Sequence, residues 1–88
     1  MRFEKIKDGF THKGVSILMR ERSGTTKEEE VFIVIDGEVR VTLEDSNYGT
    51  KKVFGMVKDD AIFIDPRTIY TIKFVKESKV IRVANGWK

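Results

Sequence analysis

Glu30 is the residue whose position in this chain most strongly points to chemistry. It stands at one end of an apolar stripe, where a carboxylate is out of place. A carboxylate in such a position can bind a ligand or act as a base, or it can simply form an ion pair with a nearby Arg or Lys. The other members of the stripe are Phe32, Val34, Val39, Val41 and Leu43.

Cationic side chains form a second group that could do chemistry. Arg offers a planar fork of donors that matches phosphate and carboxylate groups. The stretch from Arg22 to Lys27 could cradle a phosphate with its Ser, Thr and Gly residues, or it could be only a flexible loop. The predicted ligand contacts are Arg20, Arg22, Thr26, Glu30, Arg67, Tyr70 and Lys73.

The charge pattern favours a small anionic ligand over nucleic acid. The net charge is +3, and the basic residues are spread along the chain without interleaved aromatic residues. Such a mild positive charge suits a nucleotide or a phosphorylated sugar. We therefore predict a small-molecule ligand and no nucleic-acid partner.

The segment from Glu28 to Leu43 is predicted to organise the fold. Asp36-Gly37 lies between two runs rich in Val and Ile, which is the strongest short-range signal of a two-residue β-hairpin. In that hairpin Val34 would face Val39, and the stripe that begins at Glu30 would form the core face.

The other face of the predicted hairpin carries the residues Val31, Ile33, Ile35 and Arg40. A strand that is apolar on both sides has both faces covered, and no helix is predicted to cover this one. We therefore predict a homodimer with these residues at its interface, because symmetric dimers are the commonest soluble oligomers. The first strand or the tail containing Trp87 could instead fold across this face, or another protein could bind there.

The remaining sequence predicts short strands. No window of helical length shows a 3.6-residue period, and turn signals recur about every 8 to 12 residues, as in sandwiches and barrels. We expect residues 1–88 to form one all-β domain, a barrel of about eight short antiparallel strands. Outside the hairpin these strands are Arg2 to Lys7, Val15 to Glu21, Lys51 to Val57, Ala61 to Ile64, Thr68 to Val75 and Lys79 to Ala84.

Composition sets limits on class and compartment. The chain has no Cys, so a disulfide framework and a thiolate metal site are excluded. No apolar run reaches the roughly 20 residues of a membrane span, and no signal-peptide pattern is present. A soluble cytoplasmic protein without a membrane partner is the prediction.

Two stretches resemble the motifs of the cupin superfamily. Glu30, six further residues and Gly37 are similar to the second half of the first motif, and Asp59 to Tyr70 follows the spacing of the second. The resemblance implies a jelly-roll barrel. In metal-binding cupins three His and this Glu hold a divalent cation. Here the His positions fall on Gly24 and Thr26, or Ser23 and Thr25, and on Tyr70, while the single His12 lies upstream, so we predict no metal and no cofactor.

Among metal-free cupins, the chain is similar in spacing to small sugar-nucleotide cupins of the WxcM-like ketoisomerase and epimerase branches. That resemblance implies Tyr70 as an acid and Glu30 as a base, although Tyr70 could instead be a core aromatic residue. Because the His positions are not occupied by His, we favour a non-catalytic module that senses, carries or sequesters its ligand. A sugar-nucleotide isomerase and a protein-partner module are the alternatives.

Overall fold

The computed structural model describes residues 4–6, 9–12 and 14–84. These residues form ten short β-strands and no helix. The strands form a six-stranded sheet in the order β1-β2-β3-β10-β5-β8 and a four-stranded sheet in the order β4-β9-β6-β7, both antiparallel. Their bounds are β1 Glu4–Ile6, β2 Gly9–His12, β3 Val15–Leu18, β4 Arg22–Thr25, β5 Glu30–Asp36, β6 Glu38–Asp45, β7 Lys51–Val57, β8 Ala61–Ile64, β9 Thr68–Phe74 and β10 Lys79–Val83.

The predicted all-β jelly-roll fold is confirmed, as two facing sheets that do not close into a continuous barrel. β7 and β8 match their predicted bounds, and β9 and β10 end one residue earlier than predicted. β4 forms inside the stretch expected to be a loop or irregular strand, and β2 was not predicted. Of the predicted first strand, the structure describes only Glu4–Ile6, and Trp87 lies outside the described residues. The described part of the chain contains no apolar helix of membrane-spanning length.

The predicted hairpin at Asp36-Gly37 is wrong. β5 pairs with β10 and β8, whereas β6 pairs with β9 and β7, so the chain passes from one sheet to the other at Gly37. Gly37 has a φ of +92°, which is the property that an Asp-Gly signal predicts. The signal identifies a tight turn. It does not determine whether the two flanking strands pair with each other or with other partners.

Ser78 packs beneath this crossover. Its hydroxyl accepts the Glu38 amide at 2.9 Å and donates to the Lys76 carbonyl at 2.7 Å. The space above it is so tight that a Cβ added at Gly37 would overlap Ser78 Oγ and lie 2.6 Å from the Glu77 carbonyl oxygen. Glycine is therefore required at position 37 for two reasons: the positive φ of the backbone, and the lack of space for a side chain.

The residues of the apolar stripe point inward as predicted, but from opposite sheets. Phe32 and Val34 of β5 face Val39 and Val41 of β6 across the core instead of lying beside them. Alternation along each strand explains why the face assignment holds although the pairing does not. The buried core consists of Leu18, Phe32, Val34, Val39, Val41, Met56, Ile64, Tyr70, Ile72 and Val80.

Candidate functional site

The outer side of the six-stranded sheet carries an uncharged apolar surface. Because Phe32 and Val34 point into the core, Val31, Ile33 and Ile35 point outward. Strand register places outward-facing apolar residues of β3, β10 and β8 next to them. This surface, called here the outer apolar face, consists of Val15, Ile17, Val31, Ile33, Ile35, Ala61, Phe63, Ile81 and Val83.

Ile33 lies at the centre of the outer apolar face. It is paired with Ile81 on one side and with Ala61 on the other, and Ile81 is in turn paired with Ile17. Phe63 stands at the margin and is 66% exposed. The predicted interface residues Val31, Ile33 and Ile35 therefore belong to a surface that spans four strands, wider than the sequence predicted.

The outer side of the four-stranded sheet has a different character. β6 presents Glu38, Arg40, Thr42 and Glu44 there. The neighbouring strands add Thr71 and Lys73 together with the exposed apolar residues Val53, Val57 and Ile69. The prediction that Arg40 shares a face with Ile33 is wrong, because it rested on the hairpin register. Since the two sheets stack through their inner faces, Arg40 lies on the side of the molecule opposite Ile33.

Glu30 and Arg82 form an ion pair inside the sandwich. Glu30 begins β5, and Arg82 lies on the inner face of β10 between Ser16 and Phe32. Arg82 Nε donates to Glu30 Oε1 at 2.6 Å, and the two side chains are 20% and 6% exposed. This arrangement matches the ion-pair alternative for Glu30, with a partner that the sequence analysis did not identify.

Tyr70 links the Glu30–Arg82 ion pair to a second guanidinium, that of Arg22, and these four residues form a polar cluster. Its hydroxyl accepts Arg22 Nε at 2.8 Å, and its ring lies 5.1 Å from that of Phe32, centroid to centroid. Gly24 on β4 leaves room for it, since a Cβ there would be 3.1 Å from the Tyr70 hydroxyl oxygen. Tyr70 is only 2% exposed, so it is both a core aromatic residue and a hydrogen-bond acceptor.

The charges of this cluster stabilise one another. Burial lowers the pKa of the Arg82 guanidinium, but the hydrogen bond and negative charge of Glu30, together with Tyr70, outweigh this and raise the pKa above its ordinary value. Arg82 is thus positively charged at neutral pH. Its positive charge balances the negative charge of the Glu30 carboxylate inside the sandwich.

The residues present do not fit the metal that other cupins hold. Glu30 already contacts a cationic guanidinium, and the motif positions of the three His ligands hold Gly24 and Thr26, or Ser23 and Thr25, and Tyr70. Among the described residues, no three His, Cys, Asp or Glu side chains come close enough together to hold an ion. The Glu30 carboxylate and the Tyr70 hydroxyl do not replace the three imidazole ligands of a metal-binding cupin.

A cleft opens onto the ion pair at one end of the sandwich. It has a volume of about 360 Å³, which is within the range of small-molecule sites. Glu30 and Arg82 form its inner wall, and Lys27 and Glu28 lie at its edge. Thr25 and Ala84 complete the lining.

The fold brings three predicted ligand residues, Arg22, Glu30 and Tyr70, together around Arg82 and leaves the others apart. Arg22 and Tyr70 bond to each other, Glu30 reaches the cleft, and Arg20 and Arg67 are exposed in connections outside the strands. Lys73 points outward from the four-stranded sheet. Their role in ligand binding stays a prediction. Thr25 and Lys27 of the cleft belong to the stretch that the sequence analysis named as a possible phosphate cradle, whereas Arg82 is a residue that it missed.

Thr26 has a structural role in this arrangement. It is 1% exposed, its hydroxyl donates to the Asp65 carbonyl at 2.7 Å, and it accepts the Thr68 amide at 3.0 Å. These bonds hold the β8–β9 turn against the end of β4. Thr26 is therefore enclosed by backbone groups and does not reach the cleft lining.

Replacing Thr26 with Val is expected to lower the free energy of unfolding by about 2 kcal/mol, because two buried backbone groups lose their partner. Chemical denaturation followed by circular dichroism measures this loss. Thr26→Ser keeps the hydroxyl and is the matched control, with an expected cost of about 1 kcal/mol or less from the lost methyl group. Equal losses in the two variants would contradict the hydrogen-bonding role.

Comparison with solved structures identifies the fold. Neither a protein-family model nor a curated protein matches the sequence. The Drosophila melanogaster CENP-C cupin domain superposes with a TM-score of 0.77 at 17% identity, covering 96% of this chain and 74% of that one. CENP-C of the same organism bound to CAL1 gives 0.78 at 17% identity, covering 96% and 80%.

An enzyme shares the architecture. Hydroxypropylphosphonic acid epoxidase from S. wedmorenis superposes with a TM-score of 0.65 at 14% identity, over 81% of this chain and 41% of the enzyme. These likenesses show the cupin fold, as the two motifs predicted. The more specific resemblance to sugar-nucleotide ketoisomerases stays a prediction.

Proposed function

We propose that this chain, which has the cupin fold, is a self-associating module in which the outer apolar face of one copy packs against the same face of a second copy. The observation that carries the proposal is the contrast between the two outer surfaces. The four-stranded sheet presents charged and Thr side chains on β6 and β9 together with the exposed Val53, Val57 and Ile69, whereas the other sheet presents only apolar side chains on four adjacent strands. Most members of the outer apolar face are partly exposed and Phe63 is 66% exposed, while Val31 is only 7% exposed. Contiguous apolar surface that is open to solvent marks interaction sites.

A second copy is the occupant that the surface chemistry favours. The outer apolar face contains no charged side chain, so pairing it with itself leaves no charge buried without a partner. A two-fold interface uses the same patch on both subunits and requires this kind of self-complementarity. Two sheets stacked face to face at about 10 Å would bury both patches.

The structural neighbours support association as a use of this fold. One of them was solved as Drosophila melanogaster CENP-C bound to CAL1. At 17% identity that complex identifies no partner for this chain. We include binding of another protein among the outcomes that the experiments below distinguish.

Nuclear magnetic resonance of a mixed sample tests the proposed contact. Equal amounts of methyl-labelled and unlabelled chain are combined, and nuclear Overhauser effects between chains are selected by isotope filtering. We expect such contacts for the methyl groups of Ile33, Ile35 and Ile81, and none for Val41 in the core. Contacts between chains confined to the four-stranded sheet would contradict the proposal.

A second candidate function is the binding of a small polar ligand in the cleft. It is supported by a cleft of about 360 Å³ lined by the cations Arg82 and Lys27 and by the carboxylates Glu28 and Glu30, of which Glu30 is already paired with Arg82. We propose an anionic ligand such as a nucleotide or a phosphorylated sugar. Such a protein would sense, carry or sequester this ligand.

Calorimetric titration with nucleoside monophosphates and sugar phosphates tests this second function. Lys27→Gln is expected to weaken binding by about tenfold, which corresponds to 1.4 kcal/mol. Lys73→Gln is the matched control, because Lys73 lies on the outer side of the four-stranded sheet and should leave the affinity unchanged. Absence of binding to all these compounds, or equal effects of both variants, would contradict it.

An isomerase remains the weaker alternative. Tyr70 and Glu30, the predicted acid and base, are engaged by Arg22 and Arg82 respectively. A proton transfer would require at least one of these contacts to open. The assignment of catalytic roles to Tyr70 and Glu30 stays a prediction.

A further inference from the structure

We infer that the guanidinium of Arg82 is the permanent cation of the interior site and takes the place that a divalent metal ion has in metal-binding cupins. The inference begins with Glu30. Its side chain is 6% exposed, and a carboxylate buried to that degree requires a compensating positive charge. In this chain the charge comes from the protein itself, through the 2.6 Å bond from Arg82 Nε to Glu30 Oε1.

The sheet fixes the position of this cation. Arg82 lies in the middle of β10, where its backbone pairs with Ser16 on β3 and with Phe32 on β5. Its side chain leaves the inner face beside the buried Ser16 and reaches Glu30 at the start of the neighbouring strand. A guanidinium held by strands on both sides does not depend on a bound ion for its location.

A second guanidinium makes the interior still less suited to a metal. Arg22 donates to the Tyr70 hydroxyl at 2.8 Å, and Tyr70 stands at the motif position of a His ligand. A divalent cation beside Glu30 would therefore meet the positive charges of Arg82 and Arg22 with one carboxylate to offset them. Like charges at short range disfavour such a site.

The consequence is a cupin interior that is complete without a metal. The ion pair would also be lost if either member were removed, because the remaining charge would be buried without a partner. Removing both charges should lower the stability of the fold by less than the sum of the two single losses, since no charge is then left unpaired.

A thermal double-mutant cycle combined with metal titration tests the inference. Glu30→Gln and Arg82→Gln are each expected to lower the melting temperature, and the double variant should melt well above the value obtained by adding the two decreases. Arg82→Lys keeps the charge and is expected to lose less than Arg82→Gln. Additive decreases would overturn the pairing.

The metal arm uses the wild-type chain and does not depend on the variants folding. Manganese(II), nickel(II), zinc(II) and anaerobic iron(II) are each added to the protein after treatment with a chelator. The melting temperature should not rise, because a ligand that does not bind the native state does not stabilise it. A saturable rise of the melting temperature with any of these ions would overturn the inference.

Discussion

Replacing Ile33 with Asp is expected to separate the paired chains into monomers. Ile33 lies at the centre of the outer apolar face, between Ile81 and Ala61. In a symmetric pair the substitution would bury two carboxylates without a partner, at a cost of about 3 kcal/mol or more. That cost corresponds to a weakening of association of at least about 100-fold. Sedimentation velocity at several protein concentrations measures the change.

Thr42→Asp is the matched control for this experiment. Thr42 occupies the corresponding place on the other outer surface, between Val53 and Thr71 in the middle of the four-stranded sheet. It adds the same charge without touching the outer apolar face, so association should be unchanged. Circular dichroism verifies that both variants keep their strands. Loss of pairing in Thr42→Asp with retention in Ile33→Asp would place the interface on the four-stranded sheet.

Gly37→Ala is expected to lower the free energy of unfolding by about 3 kcal/mol or more. Part of the loss comes from the φ of +92°, a region that L residues avoid. The larger part comes from the added Cβ, which would overlap Ser78 Oγ and approach the Glu77 carbonyl oxygen at 2.6 Å. For a domain of 88 residues such a loss lowers the melting temperature by more than about 12 °C.

Two other glycines separate these causes. Gly49 has a φ of +69° with nothing within 4 Å of an added Cβ, so Gly49→Ala should cost only about 1 kcal/mol of backbone strain. Gly55 has open space as well and no positive φ, so Gly55→Ala should change stability by no more than about 0.5 kcal/mol. Melting curves at one fixed protein concentration compare the three. Equal losses at Gly37 and Gly49 would show that Ser78 does not pack tightly under the crossover.

Most of the correct predictions from the sequence rest on the alternation of side chains along a β-strand. The inward positions of Phe32, Val39 and Tyr70 follow from alternation within a strand, which does not depend on the partner of that strand. For the same reason Val31, Ile33 and Ile35 were correctly placed on an outer surface. β8 was predicted residue for residue because turn residues flank four apolar ones, Ala61 to Ile64.

Strand pairing could not be predicted in the same way. Asp36-Gly37 specifies the backbone conformation of one turn. β5 nevertheless pairs with β10, which begins more than forty residues later in the chain. The error moved Arg40 to the wrong surface, since its position relative to Ile33 depended on the pairing. β2 was missed because Gly9–His12 is short and has no alternating apolar pattern.

Arg82 was missed although a usable signal existed. On the last strand Val80 and Arg82 share one face, while Ile81 and Val83 share the other. Either face therefore contains apolar residues, and an Arg on the face of Val80 is as misplaced as Glu30 on the face of Phe32. Two misplaced charges of opposite sign, each on a strand apolar on both faces, are a pattern that predicts a buried ion pair. What the sequence lacked was the evidence that β5 and β10 are neighbours.

Sedimentation equilibrium of the unmodified chain tests the self-association most directly. The protein is measured from about 1 to 100 µM, a range in which homodimers of moderate affinity dissociate. We predict a mass that rises with concentration to twice the 10.2 kDa of one chain, and no further, because a two-fold interface is closed. A mass of 10.2 kDa at every concentration would contradict pairing through the outer apolar face.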